Sequence, residues 1–469
     1  MSAGEQVERR PPFFGLMWSG REEAQAAAST PPSHHLVDAQ GEPCALDVSS
    51  DVELGIKPPK PHLIIEGDNL EGMKLLRPTF GGSVDVIYMD PPYNTGKDFI
   101  YQDRFTESLQ MYRAQSERAN LTSSELRGRR HASWLTMIYP RLMLARALLS
   151  PRGVLCVSID DHEVHHLKVI LDEVMGTENE IATIIVSLNP KGRQLGRFAT
   201  SHEYLLIYAK EAQRCALEYA SADLVNPHDF PHVDEVGSYR LLPLRNSNKR
   251  FNPKTRPTLY YPLYINPDSG EVSTTPQERW VEVYPVFGSG EPAVWRWSTL
   301  KAERESHALF GSIVKGRLGP RWDVKQRDYN HPHRKKKLKS IWGSDEIGST
   351  DKAARELTSL GLGLFETPKP TALLQRILAL MPADSLVLDP FAGSGTLGEA
   401  TLRQNLKDDG TRRYVMIQNA QPTHDSDVPT IAALTRERMR RVALAISDES
   451  RAHEQVSFDF KALYLQRAD

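Results

Sequence analysis

The sequence predicts an α/β protein built on a doubly wound, mostly parallel sheet. Strand-like apolar runs alternate with helical stretches, a pattern that favours this class over an all-β sandwich. Two of the apolar runs, Val84–Met89 and Ser385–Asp389, lead into turns rich in proline or glycine. Because α/β proteins bind ligands at the carboxyl edge of the sheet, we expect the functional residues of this chain in those two turns.

The individual elements are predicted in chain order. Residues 1–61 are rich in Pro, Ser, Ala and charge and predict an N-terminal arm. The first α/β half, 62–222, has a polar loop at 94–130, helices at Ser133–Leu149 and Asp161–Met175, and strands before Asp90 and at Gly153–Ile159, Ile181–Ser187 and Tyr204–Tyr208. Residues 223–340 show little helical periodicity, and short β segments are predicted there. Residues 341–469 are again predicted to be α/β, with a strand at Tyr414–Gln418 and a helix around Thr430–Ile446.

The first turn, Asp90-Pro91-Pro92-Tyr93, has residues suited to a flat ring that bears an amine. The prolines cannot continue a strand ladder, so the chain turns sharply and exposes a carboxylate, carbonyls and an aromatic ring. Asp90 and a backbone carbonyl can accept the two amine hydrogens while Tyr93 stacks on the ring. A merely rigid turn is the competing interpretation of these four residues alone.

The second turn contains glycines at 393 and 395 before a helix-like segment, Leu397–Leu402. Glycine lets the backbone approach a ligand, and a helix start offers free N–H groups. The pattern alone is weak, because nucleotide-binding and structural turns share it. No lysine follows Gly395 to neutralise a triphosphate, so a ligand with a carboxylate and little negative charge fits better.

Together the two turns resemble the amino-methyltransferases that use S-adenosyl-L-methionine. Asp90–Tyr93 is similar to the catalytic motif of that family and Phe391–Thr396 to its cofactor motif, in the order of the permuted β group of DNA methyltransferases. Further segments are similar to the Mod subunits of type III restriction–modification systems: Trp18–Arg21, Ile65–Glu71, Pro91–Gly96, Asp98–Tyr101, Val157–Asp161, Ser201–Tyr204 and Phe365–Pro370. The resemblance covers nearly the whole chain.

The resemblance implies a site-specific DNA adenine-N6 methyltransferase, the modification component of a restriction or defence system. It implies a seven-stranded-type methyltransferase sheet in permuted order, with catalytic and cofactor-binding halves at 62–222 and 341–469 and an inserted target-recognition domain at 223–340. Asp90, Pro91, Pro92 and Tyr93 would act on an adenine flipped out of the duplex. The acid at position 90 favours adenine, since the cytosine enzymes more often carry serine there. N4-cytosine methylation and a catalytically idle DNA-binding subunit stay open as alternatives.

The resemblance also implies which residues hold S-adenosyl-L-methionine. They are Asp68, Asn69, Lys369, Pro370, Asp389, Phe391, Ala392, Gly393, Ser394, Gly395, Thr396 and Gln421. A simple N-cap is the alternative for Asp68 and Asn69, and a rigid helix start is the alternative for Lys369. At Gln421 the family has an acid that binds the ribose hydroxyls, so we expect weaker cofactor affinity or a shifted alignment that recruits Asp425.

The expected partners follow from charge and family. The net charge is −2, so attraction to double-stranded DNA must be local. Predicted phosphate contacts are Lys191, Arg193, Arg334, Lys335, Lys336, Lys337 and Lys339. We find no helicase or nuclease motif, so a separate Res-type subunit would supply restriction. The family implies a homodimer.

Other classes of protein fit the sequence poorly. Three distant cysteines and the lack of an apolar leader or a run of ~20 apolar residues predict a cytoplasmic enzyme without a membrane span. His162-Glu163-Val164-His165-His166 matches a zinc-protease pattern, with His162 and His166 expected at i and i+4 of a helix. No third ligand is evident, so we predict no metal. Pro43-Cys44 resembles the nucleophile dipeptide of cytosine-C5 enzymes but lies in the predicted arm, and chance explains it.

Overall fold

The computed structural model describes residues 15–44, 61–95, 123–190, 192, 197–218, 230–316, 319–330, 337–363, 365, 367–423, 425–449 and 458–468. The chain divides into two compact units. The first joins Met1–Glu218 to Leu338–Asp469, and the second is Tyr219–Lys337. The second unit is therefore an insertion in the sequence of the first.

The strands of both units are numbered together in chain order. They are β1 (His34–Val37), β2 (His62–Glu66), β3 (Val84–Met89), β4 (Leu149–Ile159), β5 (Glu180–Val186), β6 (Glu203–Ala209), β7 (His232–Val233), β8 (Ser238–Pro243), β9 (Leu263–Ile265), β10 (Val272–Ser273), β11 (Val281–Val283), β12 (Leu309–Gly316), β13 (Gly319–Tyr329), β14 (Ile341–Trp342), β15 (Leu386–Asp389), β16 (Arg413–Gln418) and β17 (Phe460–Arg467).

The helices are numbered in the same way. They are α1 (Arg21–Ser29), α2 (Asn69–Phe80), α3 (Ser123–Leu148), α4 (Val164–Met175), α5 (Thr299–Arg304), α6 (Ser344–Ile347), α7 (Thr350–Ser359), α8 (Thr371–Leu378), α9 (Thr396–Asp408) and α10 (Ile431–Glu449). Among the described helices, none is both long enough and apolar enough to cross a membrane.

The first unit is built on one sheet of ten strands in the order β1-β17-β2-β16-β15-β3-β4-β6-β5-β14. Six neighbouring pairs are parallel. Three pairs, β1 with β17 and β6 with both β4 and β5, are antiparallel. The predicted doubly wound, mostly parallel sheet is confirmed, with antiparallel pairing confined to β1 and β6.

Helices cover both faces of this sheet, as β3 shows. All six of its residues are buried. Ile87 and Met89 belong to a core formed with α2, α3 and α4, whereas Val86 and Tyr88 belong to a second core formed with α8 and α9. A strand buried on both faces reads as a continuous apolar run, which is why the sequence predicted this strand well.

The N-terminal region differs from the predicted arm. Helix α1 packs on α3 and buries Ala24, Ala27 and Ala28, and β1 forms the edge of the main sheet. The Trp18 indole N–H donates to Thr136 Oγ1 over 3.0 Å. Alanines allow close helix packing without a visible apolar stripe, so the composition of this region did not reveal its burial.

The second unit consists mainly of β structure, with strands of very different length. It has a three-stranded sheet, β10-β9-β11, and a four-stranded sheet, β12-β13-β8-β7. Its core contains Leu244, Leu263, Ile265, Trp295 and Val324. Outside the strands of these two sheets, Trp295 forms an isolated antiparallel bridge with Arg245.

Asp85 ties three central strands together at the amino edge of the sheet. Its carboxylate accepts from Ser150 Oγ and Arg152 Nε, each at 2.9 Å, and from the backbone N–H of Leu386 at 3.2 Å.

Asp85→Ala leaves two buried donors, Ser150 Oγ and the Leu386 N–H, without their acceptor. We therefore expect the free energy of unfolding to fall by about 2–3 kcal/mol in urea denaturation. The exposed neighbour variant Asp384→Ala should change it by less than about 0.5 kcal/mol. Equal effects of the two variants would contradict this role of Asp85.

Candidate active site

The two predicted turns leave adjacent parallel strands at the same edge of the sheet. Strand β15 pairs with β3 through Val387–Val86 and Leu388–Ile87. The turn after Asp90 and the turn after Asp389 therefore emerge side by side. The structure thus brings together the two sets of residues that the sequence singled out.

The turn after β3 is held rigidly by neighbouring side chains. The Trp134 indole N–H donates to the carbonyl oxygen of Pro92 over 2.6 Å, and Asn94 takes a left-handed conformation with φ of 58°. The Tyr93 hydroxyl donates to Asp90 Oδ1 over 2.8 Å. Tyr93 and Asp90 are both partly exposed, so the turn still presents an aromatic ring and a carboxylate at the surface of the sheet edge.

Lys369 brings a positive charge into this turn. Its Nζ lies 3.2 Å from Asp90 Oδ1 and donates to the Tyr93 hydroxyl over 2.7 Å and to Glu203 over 3.1 Å. Nζ also lies 4.8 Å from the centroid of the Tyr93 ring. The Lys369 side chain is only 10% exposed. One buried ammonium is therefore shared by two carboxylates and a phenol.

Glu203 was not among the predicted site residues, although the segment Ser201–Tyr204 had been noted as similar to Mod subunits. Strand β6 runs antiparallel to β4, so its first residue, Glu203, lies at the edge where the parallel strands end. Its side chain is 13% exposed and contacts both Lys369 and the Tyr93 hydroxyl. Only the antiparallel direction of β6 places this carboxylate in the site.

Burial and charge shift the pKa values of these groups. Burial raises the pKa of Glu203, and Asp90 raises it further, against the opposing effect of Lys369. Burial lowers the pKa of Lys369, but the carboxylates of Asp90 and Glu203 outweigh that effect and raise it overall. Burial, with the charge of Asp90, raises the pKa of Tyr93 well above its ordinary value. Lys369 thus stays an ammonium and Tyr93 stays a neutral phenol near pH 7.

The glycine-rich turn is set by backbone contacts. Gly393 and Gly395 have φ values of 53° and 82°, a region that side chains rarely adopt. The Gly393 N–H donates to Gln418 Oε1 over 2.7 Å. A Cβ at position 393 would come within 3.2 Å of the Phe365 ring, so glycine lets that ring lie close against the turn.

Ser394 and Thr396 point behind the turn. Both hydroxyl oxygens accept from Nη1 of Arg438 at 2.9 Å. Arg438 is fully buried and also forms an ion pair with Glu399 at 2.8 Å. The groups of this turn that remain for a ligand are therefore its backbone and the N–H groups at the start of α9. The Ser394 and Thr396 side chains fix the position of the turn through Arg438.

Asp68 and Asn69 link helix α2 to the same turn. Asp68 is the N-cap, with Oδ1 accepting from the Glu71 N–H over 3.0 Å, as the simpler interpretation predicted. Asn69 Nδ2 donates to the carbonyl oxygen of Pro390 over 2.8 Å, and its Oδ1 accepts from Arg141 Nε over 2.6 Å. The start of α2 is thus anchored beside the glycine-rich turn.

The remaining predicted cofactor residues surround these two turns. Pro370 is the N-cap of α8, next to Lys369. Asp389 is buried, and burial raises its pKa well above its ordinary value. Phe391 is buried in the core that contains α2, α3 and α4, and Ala392 is buried in a separate apolar cluster with Met439 and Val442 of α10. Gln421 follows β16, where its carbonyl oxygen accepts from the Ile431 N–H over 2.9 Å.

The seven predicted DNA contacts fall into two groups. Lys191, Arg193, Arg334, Lys335 and Lys336 lie outside the described residues. Lys337 and Lys339 are both exposed. Lys337 is the last residue of the second unit, and Lys339 is the second residue of the segment that returns to the first unit.

The zinc-protease pattern does not have its predicted geometry. Helix α4 begins at Val164, so His162 precedes it and bonds to Asp160 Oδ2 through Nδ1 over 2.9 Å. His166 instead bonds to Glu163. The predicted i, i+4 pair of His162 and His166 is therefore wrong, because Asp160 holds His162 in the turn that precedes the helix.

Comparisons with known proteins place this arrangement in a family context. A DNA methylase family model matches residues 84–423. The EcoPI Mod subunit of Escherichia phage P1, a type III restriction-modification enzyme, is 36% identical over 428 residues. The match covers 88% of this chain and 64% of that protein, so the chain spans less than two thirds of that relative. The type II methyltransferase M.KpnI of Klebsiella pneumoniae is 33% identical over 364 residues, which are 76% of this chain and 80% of M.KpnI.

Solved structures show a weaker likeness. The PvuII cytosine-N4-specific DNA methyltransferase is 11% identical, with a TM-score of 0.37 over 82% of this chain and 93% of that one. A DNA modification methylase from Thermus thermophilus, solved with S-adenosyl-L-methionine, is 15% identical, with a TM-score of 0.34 over 81% of this chain and 96% of that one. Scores this low add no argument to the family match.

The shared ammonium predicts a pH-dependent stability. A raised carboxylate pKa means that the folded state binds more protons, so stability falls as pH rises above the ordinary Glu value of 4.5. Lys369→Met removes the group that lowers the pKa of Glu203, so this fall should steepen. We expect an extra loss of about 1–3 kcal/mol between pH 5 and 8 in urea denaturation.

Two variants control this measurement. Lys352→Met removes an exposed lysine and should follow the wild-type pH dependence. Adding Glu203→Gln to Lys369→Met should abolish the extra slope, because glutamine does not titrate. Parallel curves for wild type and Lys369→Met would show that Lys369 does not compensate the charge of Glu203.

Proposed function

This chain belongs to the DNA methylase family, and from that premise we propose that it transfers the methyl group of S-adenosyl-L-methionine to N6 of an adenine in DNA. The observation that carries the proposal is the parallel pairing of β3 with β15. That pairing sets a carboxylate turn suited to an amine beside a glycine-rich turn suited to a cofactor.

The residues around the glycine-rich turn fit S-adenosyl-L-methionine. When bound, it supplies an electrophilic methyl group on a sulfonium. Gly393 and Gly395 allow backbone contact, the first turn of α9 offers N–H donors, and the Phe365 ring lies against the turn. The cation beside the turn, Arg438, is buried and bonded to Glu399, Ser394 and Thr396. A ligand with little negative charge suits this environment better than a triphosphate.

Asp90 and the Pro91 carbonyl are the proposed acceptors for the two hydrogens of adenine N6. Acceptors on these hydrogens raise the electron density on a nitrogen whose lone pair is delocalised into the ring. Both the Tyr93 hydroxyl and Lys369 Nζ contact Oδ1 of Asp90. Among the described residues no hydrogen bond reaches Oδ2, which makes it the oxygen suited to the incoming amine.

Lys369 and Glu203 complete the charge arrangement of the site. Lys369 Nζ lies 3.2 Å from Asp90 Oδ1 and 3.1 Å from Glu203 Oε1, so it offsets negative charge between the two acids. A carboxylate at position 90 favours a nitrogen that becomes positive as its bond to the methyl group forms. Tyr93 is proposed as the stacking platform, a contact that contributes roughly 1–3 kcal/mol per base.

Substrate and partners are proposed on the same premise. The acid at position 90 favours adenine over cytosine N4. The second unit, Tyr219–Lys337, is the proposed target-recognition domain, because it interrupts the sheet unit with an independent β structure. Double-stranded DNA, a Res-type restriction subunit and a second copy of this chain are the proposed partners, in keeping with the Mod name of several relatives.

Asp90→Ala should lower methyl transfer from tritiated S-adenosyl-L-methionine to mixed-sequence DNA by about 100-fold or more, because the amine loses an acceptor. Asp351→Ala, an exposed acid of α7, is the control and should act like wild type. Nucleoside analysis of the product should give N6-methyladenine. N4-methylcytosine would establish the alternative substrate, and transfer that survives Asp90→Ala would refute the catalytic assignment.

Gln421→Glu tests the cofactor assignment separately. A carboxylate accepts the ribose hydroxyls more strongly than an amide does, so the variant should bind S-adenosyl-L-methionine about tenfold more tightly in calorimetry. Gln421→Asn is the matched control and should bind no more tightly than wild type. If Gln421→Glu leaves the affinity unchanged, the ribose contact lies elsewhere, with Asp425 the next residue to replace.

A further inference from the structure

His131, Glu163 and His166 form a cluster that the proposed methyl transfer does not use. His131 comes from α3, Glu163 immediately precedes α4, and His166 lies in the first turn of α4. His131 Nδ1 lies 2.6 Å from Glu163 Oε1, and His166 Nδ1 lies 2.7 Å from Glu163 Oε2. The three donor groups thus meet from two separate helices.

The spacing of these donors suits a metal ion. The three ligand atoms all lie within 4.8 Å of one another. In a tetrahedral zinc site, with Zn–N bonds of about 2.0–2.1 Å, ligand atoms lie roughly 3.3 Å apart. Small side-chain rotations would open the two Glu–His contacts to that distance and draw the two imidazoles together.

The burial of the cluster makes a cation favourable. The Glu163 side chain is 0% exposed, and a buried carboxylate needs a partner that compensates its charge. Its hydrogen-bond partners among the described residues are two imidazoles and the amide of Asn94. The two histidine side chains are 25% and 23% exposed, so solvent reaches the cluster and can supply a further ligand.

We propose that His131, Glu163 and His166 bind a divalent transition-metal ion, for which Zn²⁺ is the probe. Two imidazoles and one carboxylate form a ligand set that suits zinc and its neighbours in the first row. This set shares Glu163 and His166 with the zinc-protease pattern of the sequence but takes its other imidazole from His131 of α3, 32 residues before Glu163.

The site lies next to the proposed catalytic turn. Asn94, which directly follows Tyr93 and has a left-handed φ, donates from its amide to Glu163 Oε1. Trp134, three residues after His131 on α3, donates to the Pro92 carbonyl. A metal that fixes Glu163 and His131 therefore stabilises the loop from Pro92 to Asn94, which is a role in structure rather than in the chemistry.

Zinc binding by the purified, tag-free full chain tests the proposal without any need for methyl transfer. We expect one Zn²⁺ per chain by elemental analysis after dialysis, and a Co²⁺-substituted protein with the intense visible absorption of a four- or five-coordinate ion. His131→Ala and His166→Ala should each weaken Zn²⁺ binding at least about 100-fold in competition with a chelating dye. His162→Ala removes the neighbouring exposed histidine of the same motif and should leave the affinity unchanged.

The wild-type measurements decide the question even if a variant fails to fold. Wild-type protein that takes up no stoichiometric zinc and gives no such cobalt spectrum overturns the proposal. So does zinc that binds equally well to His131→Ala, since the ligands would then lie elsewhere. Wild-type protein that does not methylate DNA would refute the proposed function, but the zinc measurement would still decide whether the metal site exists.

Discussion

Strands β3 and β15 pair in parallel although Asp85 and Leu386 at their starts are 301 residues apart in sequence. Parallel neighbours end at the same edge, so this one pairing decides where both functional turns emerge. The Asp85 carboxylate reinforces it from the amino edge by accepting from the Leu386 N–H. If the pairing slipped by one residue, the buried side chains of β3 would exchange faces and the turn after it would be displaced.

Charge compensation is the second constraint on the site. Asp90 and Glu203 would repel each other in a largely buried site, and the ammonium of Lys369 holds both of them at about hydrogen-bond distance. The same ammonium contacts the Tyr93 hydroxyl, which links the position of the aromatic ring to the charge balance. Removing Lys369 would leave the carboxyl groups of Asp90 and Glu203 close together without the cation that they share, so the arrangement depends on this lysine.

The sequence predicted those features that depend on local backbone chemistry. The two prolines after Asp90 restrict the backbone, and the glycines at 393 and 395 free it, whatever the tertiary structure around them. The continuous apolar run of β3 reflects its burial on both faces of the sheet. Features that depend on tertiary contacts were not predictable in this way. Glu203 enters the site only because β6 is antiparallel. The hydroxyls of Ser394 and Thr396 accept hydrogen bonds from the buried Arg438, a contact that no local pattern reveals. His162 is kept out of α4 by its contact with Asp160.

A crystal structure of the chain with sinefungin tests the central claim most directly, because this cofactor analogue carries an amine in place of the transferable methyl group. We predict that its nucleoside and amino-acid portions lie along the turn from Phe391 to Thr396 and the start of α2. Its amine should then face the carboxylate of Asp90. An analogue bound away from the glycine-rich turn, or with its amine turned away from Asp90, would contradict the account.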